Sequence, residues 1–216
     1  MMEKTLVFAK PDGTVRRYTG ARLVKSLIDA GFSFDFFGQI KPDRKFFAER
    51  HYIQYSDKPF FRSTIQFVSS GPIVAMIVCG DGVISKVRGM LGPTMADKAP
   101  LDTLRGMYGL YGGVNLSHAS DQESAEKEVK MWIDEVIALD PDKDYNKAAR
   151  DYVAKYIDFP MIDTTRYREL IRAALDKKIR IEDLKIDMFS LLKKESDFDD
   201  DTIQSMVEGA LANIMS

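Results

Sequence analysis

The chain has 216 residues, with 31 Lys/Arg against 33 Asp/Glu and a formal net charge of −2. That length fits one large domain or a domain with an appendage, and 45% hydrophobic with 30% charged residues fits a soluble globular protein. Residues 1–139 carry 18 basic against 16 acidic side chains and residues 140–216 carry 13 against 17, so neither part is basic enough for a nucleic-acid surface. The slightly basic first part is compatible with a small polyanionic ligand. The single cysteine, Cys79, excludes an intramolecular disulfide and points to a reducing compartment. The apolar run near the N-terminus is too short for a signal-peptide core, and no stretch approaches membrane-spanning length. A cytoplasmic location is expected.

In chain order, Thr5–Ala9 reads as a buried strand and Pro11-Asp12-Gly13 as a turn. Thr19 is expected to cap a helix running to about Ala30, with Gly31 as its stop. Phe32–Ile40 reads as a second strand. A helical hairpin is expected from Pro42, broken near Ser56-Asp57-Lys58-Pro59 and continued by Phe60–Val68. Ile73–Val78 is a third, very apolar strand, followed by a helix that ends near Gly92-Pro93. Residues 93–114, with four glycines and two prolines, read as a long loop with one helical turn near Asp102–Met107. Loops of this length are usually functional or disordered. A short strand is expected before His118, and then a helix capped by Ser120 and Glu123 in S-x-x-E spacing, with Ala125, Val129, Trp132 and Ile133 on its apolar face. The order βαβ(αα)βαβα implies a four-stranded antiparallel sheet covered by helices, an α+β sandwich.

Beyond Asp140 the pattern changes to four amphipathic helices. Their stripes are Tyr145 to Ile157, Tyr167 to Leu175, Leu184 to Leu192 and Ile203 to Ile214, each with one face to bury. Two acidic runs imitate calcium loops: Asp140 with Asp142, Asp144, Asn146 and Asp151, and Asp197 with Asp199, Asp201 and Glu208. Both have another residue, Tyr145 or Thr202, where such loops need glycine. Acidic residues opening helices explain both runs more simply.

His118, in the run Asn115-Leu116-Ser117-His118-Ala119-Ser120-Asp121, is one of only two histidines. A histidine just ahead of a helix N-terminus lies near free N–H groups and the positive dipole end, a natural phosphate position, and imidazole is a competent nucleophile near neutral pH. Other blocks accompany it in order: Ala9-Lys10-Pro11-Asp12-Gly13, His51-Tyr52, Pro59-Phe60-Phe61, Ser70-Gly71-Pro72, Arg88-Gly89-Met90-Leu91-Gly92, Thr103-Leu104-Arg105-Gly106, and Glu123 to Glu128 after the histidine. Together they resemble the nucleoside diphosphate kinase family over roughly residues 3–139, with K-P-D-G and N-x-x-H-[GA]-S-D as its signatures.

The resemblance implies a ferredoxin-like α/β sandwich for residues 1–139, with residues 140–216 as an all-α extension of unknown role. It also implies ping-pong transfer of a terminal phosphoryl group from a nucleoside triphosphate to a diphosphate, with His118 as nucleophile through Nδ1. Lys10, Arg88, Arg105 and Thr94 would hold phosphates, and Tyr52 would contact the terminal one. Asn115, with Lys10, would bind ribose hydroxyls; Phe60 would stack on the base, a contact tolerant of base identity. Glu128 and Ser120 would orient the histidine ring, and His51 is read as structural. Mg²⁺ would ride on phosphate oxygens and water, with Asp121 in an outer shell. A homo-oligomer, most often a hexamer, is implied, and the tail either packs on the catalytic part or binds another protein. The chain departs from the family pattern in three places: one residue fewer between Asp121 and Glu123, Gly112 for an apolar residue, and Val114 for a basic one. The alternative function is a non-catalytic nucleotide-binding scaffold; the intact Lys10, Arg88, Arg105 and His118 argue against it.

Overall fold

A computed structural model of the chain describes residues 2–216. Four strands, β1 (Met2–Ala9), β2 (Ser33–Ile40), β3 (Ile73–Asp81) and β4 (Ser117–Ala119), form one antiparallel sheet in the order β2-β3-β1-β4. β3 and the second half of β1 are buried on both faces, which is why Leu6–Ala9 and Ile73–Cys79 are continuous apolar runs without alternation. The expected sandwich is therefore present.

The helices of the first part are α1 (Pro11–Val15), α2 (Arg17–Asp29), α3 (Arg44–Phe46), α4 (Phe61–Val68), α5 (Val83–Leu91), α6 (Leu104–Tyr108) and α7 (Ala125–Glu135). Several local expectations need correction. Pro11-Asp12-Gly13 is the start of α1 rather than an open turn, because Pro at a first helical position loses no needed donor. Thr19 does not cap α2, which begins at Arg17; its hydroxyl donates back to the Arg16 carbonyl at 2.9 Å. The hairpin after Pro42 is broken into α3, a π-helical turn Phe47–His51 and a 3₁₀ turn Ile53–Tyr55. His118 lies inside β4 rather than after it. The capping box fails too: α7 starts at Ala125, Asp121 and Ser124 exchange side-chain and backbone hydrogen bonds ahead of it, and Ser120 is used elsewhere. Ile133 is partly exposed, while Ala125, Val129 and Trp132 are buried as expected.

The tail forms α8 (Tyr145–Tyr156), α9 (Thr164–Leu175), α10 (Ile181–Leu192) and α11 (Asp200–Ile214), matching the four apolar stripes. Acidic residues cap three of them: Asp144 accepts from Lys147 N, Asp163 from Thr165 N and Asp199 from Thr202 N, at 2.8, 2.8 and 2.7 Å, whereas α10 follows Arg180 without a side-chain cap. All four helices pack onto the first part or onto each other. α8 lies across α2 and the edge strand β2, α11 across α4 and α1, and α10 between α9 and α11. Gly20 of α2 permits the α8 crossing, since a Cβ there would stand 2.7 Å from the Tyr152 hydroxyl. The deepest link is ionic. Arg16 and Glu195, each with a side chain 1% exposed, pair at 3.1 Å, and Tyr167 donates its hydroxyl to the same carboxylate. No helix among the described residues is long and apolar enough to cross a membrane.

Candidate active site

The site grows from the contact between the end of β1 and the chain entering β4. Lys10 N donates to the Leu116 carbonyl at 2.9 Å, and the Asp12 carboxylate accepts from Leu116 N at 2.8 Å. Leu116 has φ of 79°, a strained conformation for a branched side chain, and these two bonds hold it there. Gly13 is required at this point because a Cβ would lie 2.6 Å from the Leu116 oxygen. The K-P-D-G segment is thus a clamp that fixes the backbone two residues ahead of His118.

His118 pairs across the sheet with Phe8, and its ring stacks on the Phe8 ring with centroids 4.8 Å apart. Its Nε2 lies 2.8 Å from Glu128 Oε2, which also accepts from the Ser120 hydroxyl at 2.7 Å. Burial alone would raise the Glu128 pKa. The hydrogen bond and charge of His118, the nearby His51 and the Ser120 hydroxyl outweigh it and hold the group down to about 2. Glu128 is therefore a carboxylate at neutral pH and only accepts, so Nε2 of His118 carries a proton in this contact, and Nδ1 is the ring nitrogen free to hold a lone pair. The carboxylate that contacts the ring stands in the first turn of α7. The His118 side chain remains 18% exposed.

His51 is buried, accepts from Trp132 Nε1 at 3.1 Å and packs edge-on against His118. Burial, reinforced by His118, pushes its pKa down to about 3, so it stays neutral and acts as packing. Burial, with the charge of Glu128, raises the pKa of Tyr52, whose ring lies 6.3 Å from that of His118.

Two arginines grip β4 on either side of the histidine. Arg105 of α6 donates to the Ser117 carbonyl at 3.1 Å and to Gly92 at 2.8 Å; Arg88 of α5 donates to the Ala119 carbonyl at 3.4 Å. Burial and the neighbouring Arg88 lower the Arg105 pKa to about 10. Its Nε is buried without a protein partner. Lys10 Nζ donates to Asn115 Oδ1 at 2.8 Å and Gly113 O at 3.1 Å, and Asn115 in turn donates to the Thr94 carbonyl at 2.6 Å. Burial, then the charge of Arg105, brings the Lys10 pKa down to about 7. The structure thus gathers His118, Glu128, Ser120, Arg88 and Arg105 around β4 and joins Lys10, Asn115 and Thr94 by side-chain bonds. Phe60 stands at the N-cap of α4, 48% exposed, with its ring 5.9 Å from that of Tyr55. Asp121 sits in the turn before α7, exchanging hydrogen bonds with Ser124 and accepting from Ala125 N at 3.0 Å through its carbonyl. Asp12, part of a recognised motif but given no role of its own, is the main residue the sequence reading missed near the histidine.

The tail also reaches this region. Asn213 of α11 donates to the Thr64 hydroxyl at 3.4 Å, and its Oδ1 would lie 2.7 Å from a Cβ placed on Gly113. Ser63 donates to the Ser216 hydroxyl at 3.0 Å.

A charged cluster of this kind, with a carboxylate-oriented imidazole between two guanidinium groups and a buried ammonium, is suited to receiving a phosphoryl group. Residues 3–137 match the model of the family described as nucleoside diphosphate kinase. A nucleoside diphosphate kinase of Clostridium perfringens is 40% identical over 136 residues, covering 62% of this chain and 94% of the relative. One from Methanothermobacter thermautotrophicus is 39% identical over 135 residues, covering 62% and 89%. Among solved structures, a halophilic nucleoside diphosphate kinase from Halobacterium salinarum in complex with CDP aligns with a TM-score of 0.60 and 34% identity, over 69% of this chain and 99% of that one.

Proposed function

Since the chain belongs to the nucleoside diphosphate kinase family, we propose that its kinase activity proceeds by a ping-pong mechanism through a phosphohistidine at His118. The single observation that carries this reading is the His118–Glu128 contact, which fixes the proton on Nε2 and leaves Nδ1 as the nucleophile. In the first half-reaction the Nδ1 lone pair attacks the terminal phosphorus of a nucleoside triphosphate. The bond to the bridging oxygen breaks, and the diphosphate leaves with that electron pair. In the second half-reaction a terminal oxygen of another diphosphate attacks the phosphohistidine, and Nδ1 recovers its pair. No proton needs to leave the ring, because the Nε2–H stays bonded to Glu128, and the carboxylate offsets the positive charge that develops on the imidazole.

The remaining residues supply charge and position. Arg88 and Arg105 flank the nucleophile and would neutralise the transferring group; Thr94 would add a donor and Tyr52 would contact the same group. Lys10 and Asn115 form a pair suited to ribose hydroxyls and phosphate, and the exposed Phe60 ring is available for stacking on a base of any identity. Family membership carries a divalent-cation requirement, which we assign to Mg²⁺. Among the described residues the one cluster of potential metal ligands is His51, His118 and Glu128. It is nitrogen-rich and already hydrogen-bonded, unlike the oxygen cage a hard cation prefers. The ion therefore fits best as a companion of the substrate phosphates, neutralising their charge, with Asp121 acting through water.

We assign residues 1–139 to catalysis and residues 140–216 to a tail built onto it. Any homo-oligomer, including the hexamer the family favours, has to use faces other than the β2 edge, because α8 of the same chain occupies it. Two-substrate steady-state kinetics test the mechanism: ping-pong transfer gives parallel double-reciprocal lines, whereas intersecting lines would require a ternary complex and overturn it.

A further inference from the structure

Arg168, on α9 of the tail, hydrogen-bonds to five backbone oxygens of the segment that carries Arg105. Nη2 shares its two hydrogens among Gly109 O at 2.7 Å, Gly106 O at 2.8 Å, Ala96 O at 3.2 Å and Arg105 O at 3.3 Å, and Nε donates to Leu110 O at 3.2 Å. A second guanidinium completes the set, since Arg16 Nη1 donates to Tyr108 O at 2.7 Å while Glu195 of the tail holds Arg16. These are mostly the terminal carbonyls of α6, a helix of 5 residues. A helix that short is marginal in isolation, and of its last carbonyls that of Arg105 accepts from Gly109 N at 2.9 Å while the others look outside the helix for partners. A cation placed among them satisfies the orphan oxygens and opposes the negative end of the helix.

The consequence reaches the nucleophile in three contacts. Arg168 holds the backbone of α6, including the carbonyl of Arg105 itself. The Arg105 side chain spans from Gly92 to Ser117, and Ser117 precedes His118 in β4. We infer that the tail serves the reaction as a positioning element, with Arg168 fixing α6 so that Arg105 is set for phosphate before nucleotide arrives. The inference rests on the phosphate-binding role proposed above for Arg105. It also gives residues 140–216 a task, since Arg168 lies beyond the family match that ends at residue 137. Sequence reading had no access to this link, because an arginine on an amphipathic helix looks like an ordinary surface cation.

The test is a double-mutant cycle on the full chain, reading ADP affinity by calorimetry below the melting temperature of each variant. Arg168→Lys retains the charge but loses the planar fork that reaches several oxygens at once. Arg168→Lys and Arg168→Ala are each expected to weaken ADP binding by about 10-fold, with Lys the milder, since small misplacements of a binding group are costly. In an Arg105→Ala background the same changes are expected to add almost nothing, because both act through one group. Unchanged affinity in the folded Arg168→Lys protein, or a loss that adds in full to that of Arg105→Ala, would overturn the inference. If Arg105→Ala alone leaves ADP affinity intact, the role of Arg105 has failed instead, a result separate from the other two. Should Arg168→Ala not fold, Arg168→Lys and its double variant decide the matter.

Discussion

At the scale of single residues, the site depends on which groups are charged. Glu128, held down to about 2, is ionised across the working pH range and sets the tautomer of His118. Glu128→Gln keeps the shape but removes the charge that stabilises the ring as it becomes phosphorylated. Phosphorylation of His118, followed by rapid quench, is expected to slow about 100-fold, within the range typical of a lost acid–base partner. An unchanged rate would mean that the carboxylate only packs. Lys10 loses its proton at a much lower pH than an exposed lysine, because burial and Arg105 bring its pKa down to about 7. A bound diphosphate favours the charged form and raises that value. Binding at pH 8 is therefore expected to take up a proton, and affinity to fall as pH rises above about 7. Calorimetry in buffers of different ionisation enthalpy measures the uptake, and Lys10→Met is expected to abolish it.

Between elements, the strongest claim concerns Glu195. Its carboxylate is buried with Arg16 and Tyr167, joining the chain between α10 and α11 to the start of α2. Removing one member of a buried pair leaves the other charge without compensation, so Glu195→Ala is expected to cost about 3–5 kcal/mol in chemical unfolding. A loss below about 1 kcal/mol, as for exposed pairs, would contradict this. The elements themselves were largely legible in the sequence. Periodicity located all four tail helices and the long apolar strands, because each has a single burial pattern that local spacing reveals. What was not legible depended on partners distant in the chain. Ser120 has the spacing of a helix cap, yet its hydroxyl turns to Glu128 because that carboxylate sits next to His118 across β4. Leu175 and Ile133 continue apolar stripes but lie at the ends of their helices' buried faces and stay partly exposed. The order of motifs placed Lys10, Arg88, Arg105, Asn115 and His118 in one site, whereas nothing local marks Asp12, Arg168 or Glu195 as holding it together.

For the whole molecule, the tail covers what an isolated catalytic unit would expose. β2 is a sheet edge, and α8 closes it with Tyr145 against Phe36 and with Asn146 accepting from Phe34 N at 3.0 Å. Truncation after Leu139 bares this strand and its aromatic residues, and unpaired edges template association. Light scattering is expected to find larger species than the intact chain forms, while histidine phosphorylation persists in weakened form; an unchanged mass would show that the edge needs no cover. The central claim, a covalent phosphohistidine at His118, is tested most directly by exposing the protein to ATP labelled in its terminal phosphate and isolating the phosphoenzyme. The account predicts label that is stable to alkali, labile to acid, discharged by added ADP and lost in His118→Ala. Turnover in His118→Ala at the wild-type rate, or wild-type turnover without any labelled intermediate, would contradict it.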